Sequence, residues 1–310
     1  MKKISQFIIP VSLLFISCAT KQNAALEFDF QYKVHFQETG TIEAWIPLPQ
    51  SGKFQTIENL RVDFIQPYRF EKDSVYGNLF LHIPPHDMTQ PETLIIRFSV
   101  KRQEARAVPV QIGEADRSLF LQSFAKVPLD DQFVQIADSV TPQNGQAGRR
   151  LYNYIMDHME YDKTGIGWGE GDALYACDIG KGNCTDYHSY YNALMRAKGI
   201  PARFSIGFPI PEGSAGVVNG YHCWAEYYQD GKGWVPVDIS EADKYPEKED
   251  YFFGRLDERR VKFTVGRDIP LPGGSTEDVV NYSIYPYVKV DGVPSLGYTK
   301  DFYFEVVEAD

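Results

Sequence analysis

The chain has 310 residues, of which 43% are hydrophobic, 14% aromatic and 24% charged. Aromatic residues at this level exclude a disordered chain, and the length allows about two domains. The formal charge is −11, and removing a leader with Lys2 and Lys3 leaves 29 basic against 42 acidic residues, or −13. That balance excludes a nucleic-acid binder, which needs a basic footprint. Four cysteines are too few for a disulfide scaffold.

Met1, Lys2 and Lys3 form a short basic start, followed by an apolar stretch from Ile4 to Ser17. At about 14 residues this stretch is too short to span a bilayer and reads as the apolar part of an export signal. It ends Leu14-Phe15-Ile16-Ser17-Cys18-Ala19, which resembles a bacterial lipoprotein signal. The resemblance implies a lipid on Cys18, a signal peptide over 1–18 and a lipid-anchored protein of the bacterial cell envelope. Ordinary cleavage after Ala19 is the alternative.

From Leu26 to Gln37 apolar and polar residues alternate without a break: Leu26, Phe28, Phe30, Tyr32, Val34 and Phe36 against their neighbours. Period two predicts a strand with one buried face. Strand-like runs follow at 41–46, 54–65, 75–83 and 92–101, separated by turn residues. Residues 26–110 therefore read as an N-terminal β-sandwich domain.

The pattern then changes. Asp130 and Asp131 can cap a helix bearing Phe133, Ile136, Ala137 and Val140. Leu151, Ile155 and Met159 mark a second helix, and a Gly-rich loop spans 164–183. A third helix carries Tyr187, Tyr190, Tyr191, Leu194 and Met195 on one stripe and stops at Gly199 before Pro201. Strands follow at about 202–208, 220–228 and 234–239. Residues 115–245 are thus α+β, and 246–310 read as a C-terminal β extension with strands at 259–265, 280–290 and 299–308.

Cys184, in Gly182-Asn183-Cys184-Thr185, opens the third helix. Unpaired N–H groups and about half a positive charge gather there, so the thiolate is favoured. An inert buried cysteine would also fit that position alone. The hairpin over 220–239 adds a second clue. Pairing 227 with 235, 225 with 237 and 223 with 239 puts the small and aliphatic residues on one face, around a loop at Asp230-Gly231-Lys232. His222 and Asp238 then lie together on the other face, diagonal neighbours roughly 7–8 Å apart. Singly, His222 reads as a structural histidine and Asp238 as a turn carboxylate. Together with Cys184 they give a nucleophile, a base and an orienting acid. In the same register Cys223 points away from the His222 face and does not bridge Cys184. Cys177 either pairs with Cys223 or stays free.

Gly182-Asn183-Cys184, Leu194-Met195-Arg196-Ala197-Lys198-Gly199-Ile200-Pro201, Tyr221-His222-Cys223-Trp224-Ala225-Glu226 and Gly233-Trp234-Val235-Pro236-Val237-Asp238 together resemble the core of the transglutaminase-like superfamily. The resemblance covers about residues 145–242. It implies a papain-like α+β core, here preceded by a β-sandwich and followed by β-strands, with a Cys184-His222-Asp238 triad. Trp45-Ile46-Pro47-Leu48-Pro49 and Phe252-Phe253-Gly254 with Gly266-Arg267-Asp268 are similar to bacterial multidomain members. Cys223 replaces the small residue usual after the histidine.

The shared family step is thiolate attack on an amide to give a thioester. The Cys184 N–H is the first candidate for the oxyanion donor, and Trp168 in the Gly-rich loop is a side-chain candidate. His188, one turn after Cys184, is structural or substrate-lining. No Cys/His or acidic spacing matches a zinc or calcium site, so no metal and no cofactor are expected. The expectation is an exported thiol enzyme acting on a peptide, protein or cell-wall amide, with hydrolysis favoured. Acyl transfer to an amine and a non-catalytic surface binding protein are the alternatives. The flanking β regions are candidates for holding such a partner.

Overall fold

The computed structural model describes residues 25–142 and 146–307, so the leader and Cys18 lie outside the described residues. Leu26–Phe36 is a strand with Phe28, Phe30, Tyr32, Val34 and Phe36 buried, as its alternation dictates. It is the middle strand of a five-stranded sheet. Glu92–Arg102 pairs on one side, Phe30 opposite Phe98, and Tyr298–Val306 on the other, Phe30 opposite Phe304. Gln55–Asp63 and Ala215–Val217 form the edges. A second five-stranded sheet runs Val293–Ser295, Tyr287–Val290, Gly40–Leu48, Leu79–Met88, Arg69–Lys72.

The sequence divides 26–110 from 246–310, but strand pairing joins them. Each sheet of the sandwich takes strands from both regions, so the C-terminal strands complete the N-terminal sheets. The reason is nonlocal: alternation marks a strand's buried face but not its hydrogen-bonded neighbour. Tyr298–Val306 and Leu26–Phe36 bury matching aromatic faces that neither could cover alone.

Between these strands lies an α+β core. Its four-stranded antiparallel sheet has the order Gly233–Val237, His222–Gln229, Ala202–Pro209, Arg260–Val265. Asp131–Val140 is capped by Asp130, whose side chain accepts from the Gln132 N–H. Ala147–His158 buries Leu151 and Ile155. Both pack on the helix Cys184–Ala197, which lies against the sheet. That helix is buried all round except at Ala197, so its Asp186, His188 and Ser189 lie inside beside the tyrosine stripe. The apolar stripe alone predicted one buried face; the other is covered as well, with His188 beside Cys223 of the sheet and Ser189 bonded to Arg267.

The hairpin register holds at Ala225–Val237 and Tyr227–Val235, with the turn at Asp230-Gly231-Lys232 and Gly231 at φ 76°. The third pair, 223 with 239, does not form. The strand stops at Val237, because Asp238 leaves it to cap the helix Ile239–Lys244, accepting from the Glu241 N–H.

Candidate active site

Cys184 is the first residue of its helix. Asn183 caps it through a side-chain bond from the Thr185 N–H (2.8 Å), and Asp186 accepts in return from the Asn183 N–H (2.9 Å). Asp186 also accepts from the N–H groups of Gly169 (2.7 Å) and Gly171 (3.0 Å), which pins the Gly-rich loop against the start of the helix. A Cβ on Gly182 would fall on the Asp186 carboxylate, so only glycine fits there. Because the cap engages Thr185, the Cys184 N–H remains one of the helix's free donors.

His222 Nε2 donates to Asp238 Oδ2 at 2.7 Å, and the carboxylate is fully buried. The other ring nitrogen, Nδ1, is left for the Cys184 thiol, against which the imidazole lies. Arg260, at the head of its strand, donates from Nη1 to the same Asp238 oxygen (2.8 Å) and from Nη2 to Asp257 (2.8 Å). Asp238 Oδ1 accepts from Ser240 Oγ (3.3 Å) and the Glu241 N–H. Arg260 is a positioning residue that the sequence reading missed: it places a strand at 259–265 without relating it to Asp238.

His188 is fully buried. Its Nδ1 donates to the Cys184 carbonyl (2.7 Å), and its Nε2 accepts from the Ile239 N–H (3.0 Å). Those two bonds fix one neutral tautomer, and burial pushes the ring down to about 4. His188 therefore ties the start of the Cys184 helix to the cap that carries Asp238, the structural role of the two expected.

Cys223 forms no bridge, as the sequence reading expected, but it lies close to Cys184: its thiol lies against the Cys184 thiol and 3.6 Å from His188 Nδ1. The alternation is right, but the helix bearing Cys184 covers the Cys223–Ala225–Tyr227 face. All three described cysteines are unbridged. Cys177 sits apart, donating to Tyr190 Oη (3.3 Å) and accepting from Gln132 Nε2 (3.1 Å).

The charges follow from these contacts. The Cys223 thiol hydrogen bond holds the Cys184 thiol well below its ordinary value against burial, and the His222 hydrogen bond and charge add to it. Burial works against charge on His222, but Asp238 and Cys184 outweigh it and raise the imidazole to about 10. Asp238 stays ionised despite burial because His222 and Arg260 face it. Burial pushes Cys223 well up, so it remains a thiol. Together these contacts favour a thiolate–imidazolium pair backed by a carboxylate.

A cleft of about 740 Å³ opens beside this pair, with His222, Tyr161 and Tyr221 in its wall. Tyr221 Oη accepts from Asn183 Nδ2 (3.2 Å), next to Cys184. Trp168 is half-buried in the turn beside Gly169, in the loop that Asp186 holds. Among the described residues no group of acidic, His and Cys side chains forms a metal site. No described helix is long and apolar enough to cross a membrane.

These features define an α+β core with a thiol, an imidazole and a carboxylate in contact. Residues 132–239 match the model of the transglutaminase-like superfamily, and they form a transglutaminase-like domain of this chain. An uncharacterised protein from Haemophilus influenzae is 25% identical over 319 residues, covering 86% of each chain. The crystal structure of a candidate cysteine protease from Cytophaga hutchinsonii aligns over 92% of both chains, with a TM-score of 0.61 at 16% identity. That fold therefore extends through the flanking sheets as well as the core. The periplasmic domain of TgpA from Pseudomonas aeruginosa aligns over 73% of this chain and 91% of its own, at 17% identity and a TM-score of 0.38.

Proposed function

We propose that this chain is an exported thiol hydrolase of amide or peptide bonds, with Cys184 as nucleophile, His222 as acid and base, and Asp238 as orienter. The 2.7 Å His222–Asp238 bond beside a thiol at a helix N-terminus carries this reading. The Cys184 thiolate attacks the amide carbonyl carbon, and the carbonyl electrons move to oxygen. The Cys184 N–H is placed to stabilise that oxyanion, a donor type worth roughly 10²–10³ in rate. Trp168 stays the candidate for a second donor. The C–N bond breaks as His222 Nδ1 gives its proton to the leaving amine, and a thioester remains. Water then attacks the thioester while His222 takes its proton, releasing a carboxylic acid and restoring the thiolate.

Water is the abundant acceptor outside the cell, which favours hydrolysis over transfer to an amine. The Cytophaga protein of the same fold carries a cysteine protease description, which agrees with this reading. Wild type and Cys184→Ala incubated with peptide libraries, with and without a primary amine, test it. New termini made only by wild type support hydrolysis. Amine incorporation with ammonia release supports acyl transfer instead, and equal behaviour of the variant removes the nucleophile assignment.

Export rests on the leader, and attachment to a membrane of the cell envelope on a lipid at Cys18. A membrane-bound form lipidated at Cys18 supports the anchor; a soluble form beginning at Thr20 refutes it.

A further inference from the structure

A second cavity, of about 320 Å³, lies between the sandwich and the face of the core sheet turned away from the helix Cys184–Ala197. Its charge contrasts with that of the chain, in which acidic residues outnumber basic ones 42 to 31. Arg102, Arg203 and Lys262 stand in its wall, with Lys53 and Arg106 at the rim, against a single carboxylate, Glu226.

Glu226 is already engaged, by Arg203 Nε at 2.6 Å and Ser205 Oγ at 3.1 Å. Lys262 is left without an ion-pair partner among the described residues. Arg102 is only 4% exposed. Its Nη1 reaches Gln55 Oε1 at 3.3 Å, and its Nε has no hydrogen-bond partner. A buried guanidinium normally finds a full set of acceptors, so this one has donor capacity left for a ligand. Arg102 also follows Phe98 and Val100 on the inward face of its strand, where the alternation calls for an apolar residue. Burial pushes Lys262 down to about 8, and Arg203 and Arg102 add to this against Glu226. An anion would reverse that push.

We propose that this cavity binds a ligand bearing an oxyanion, a phosphate, sulfate or carboxylate group seated between Arg102 and Lys262. Trp224 and Trp234 supply apolar wall for the ligand's body, and Arg203 already lies 4.1 Å over the Trp234 ring. The site is separate from Cys184 and does not depend on its chemistry.

Trp224 and Trp234 provide the readout. The full chain is titrated with inorganic phosphate, phenyl phosphate and benzoate, with sodium chloride holding ionic strength constant, while tryptophan fluorescence is followed. Saturable binding is expected, with phenyl phosphate tighter than inorganic phosphate, and Lys262→Met weakening it by about tenfold or more. The benzoate arm separates carboxylate from phosphoryl ligands. The Cys184 alkylation rate in Lys262→Met should match wild type, which shows that the variant is folded. If the three probes change fluorescence no more than chloride does, or if folded Lys262→Met binds as wild type does, the proposal is overturned. Should Lys262→Met fail to fold, Lys53→Met at the rim is expected to weaken binding by a smaller factor, and an unchanged affinity there also overturns it.

Discussion

The contact between His222 and Asp238 can be tested without knowing the substrate, through Asp238→Asn and the alkylation of Cys184. Asparagine keeps the shape and the helix-capping capacity of aspartate, so the fold is expected to survive. It removes the charge that sustains the imidazolium. The rise of His222 from 6.5 to about 10 corresponds to roughly 5 kcal/mol favouring the charged ring, at about 1.36 kcal/mol per pH unit. Asp238 and Cys184 share that effect. Without the Asp238 charge the imidazolium loses support, and the coupled thiolate midpoint rises. On the acid limb, below both midpoints, the thiolate fraction falls about tenfold for each pH unit of that rise. The more basic thiolate is intrinsically more reactive by roughly threefold per unit, leaving a net loss of about threefold per unit. The assay is the rate of iodoacetamide labelling of Cys184 against pH, read by peptide mass. A midpoint that stays put or moves down in Asp238→Asn, or a wild-type midpoint near that of an ordinary thiol, would refute the ion-pair reasoning.

Cys223→Ala should raise the same midpoint, because the Cys223 thiol is the foremost influence holding Cys184 down; Cys223→Ser, which keeps a donor, should restore most of it. Asp186→Ala strips an acceptor from the N–H groups of Gly169, Gly171 and Asn183. The expected result is a loss of about 2–5 kcal/mol in urea unfolding and faster proteolysis within 164–182. Phe302→Ala removes a ring 4.2 Å from Phe208 and should cost about 3–5 kcal/mol by the same measurement. Loss below 1 kcal/mol would mean that the sandwich and the core are not one packed unit.

Local periodicity carried much of the fold. The strand Leu26–Phe36, the cap at Asp130 and the pairing of Ala225 with Val237 all follow from residues close in sequence. The juxtaposition of His222 and Asp238 was legible for the same reason, since both lie on one hairpin. What failed was the third dimension. Alternation shows that Cys223 and His222 leave the strand on opposite faces, but not that the Cys184 helix lies on the Cys223 face. Arg260 and Arg102 were silent because their partners, Asp238 and Gln55, are distant in the chain. The shared sandwich was hidden likewise, because hydrogen bonds between strands at opposite ends leave no mark at short range.

The last described strand has a consequence for biogenesis. Phe302 packs on Phe208 in the same apolar cluster that contains Cys184 and Cys223. Val306 stands opposite Phe28, so the first strand waits for nearly the whole chain before its second neighbour exists. The surroundings of Cys184 therefore reach their final packing only after synthesis has passed residue 306. For the proposed thiol enzyme, chain order thus delays the mature site until the strand Tyr298–Val306 has been made.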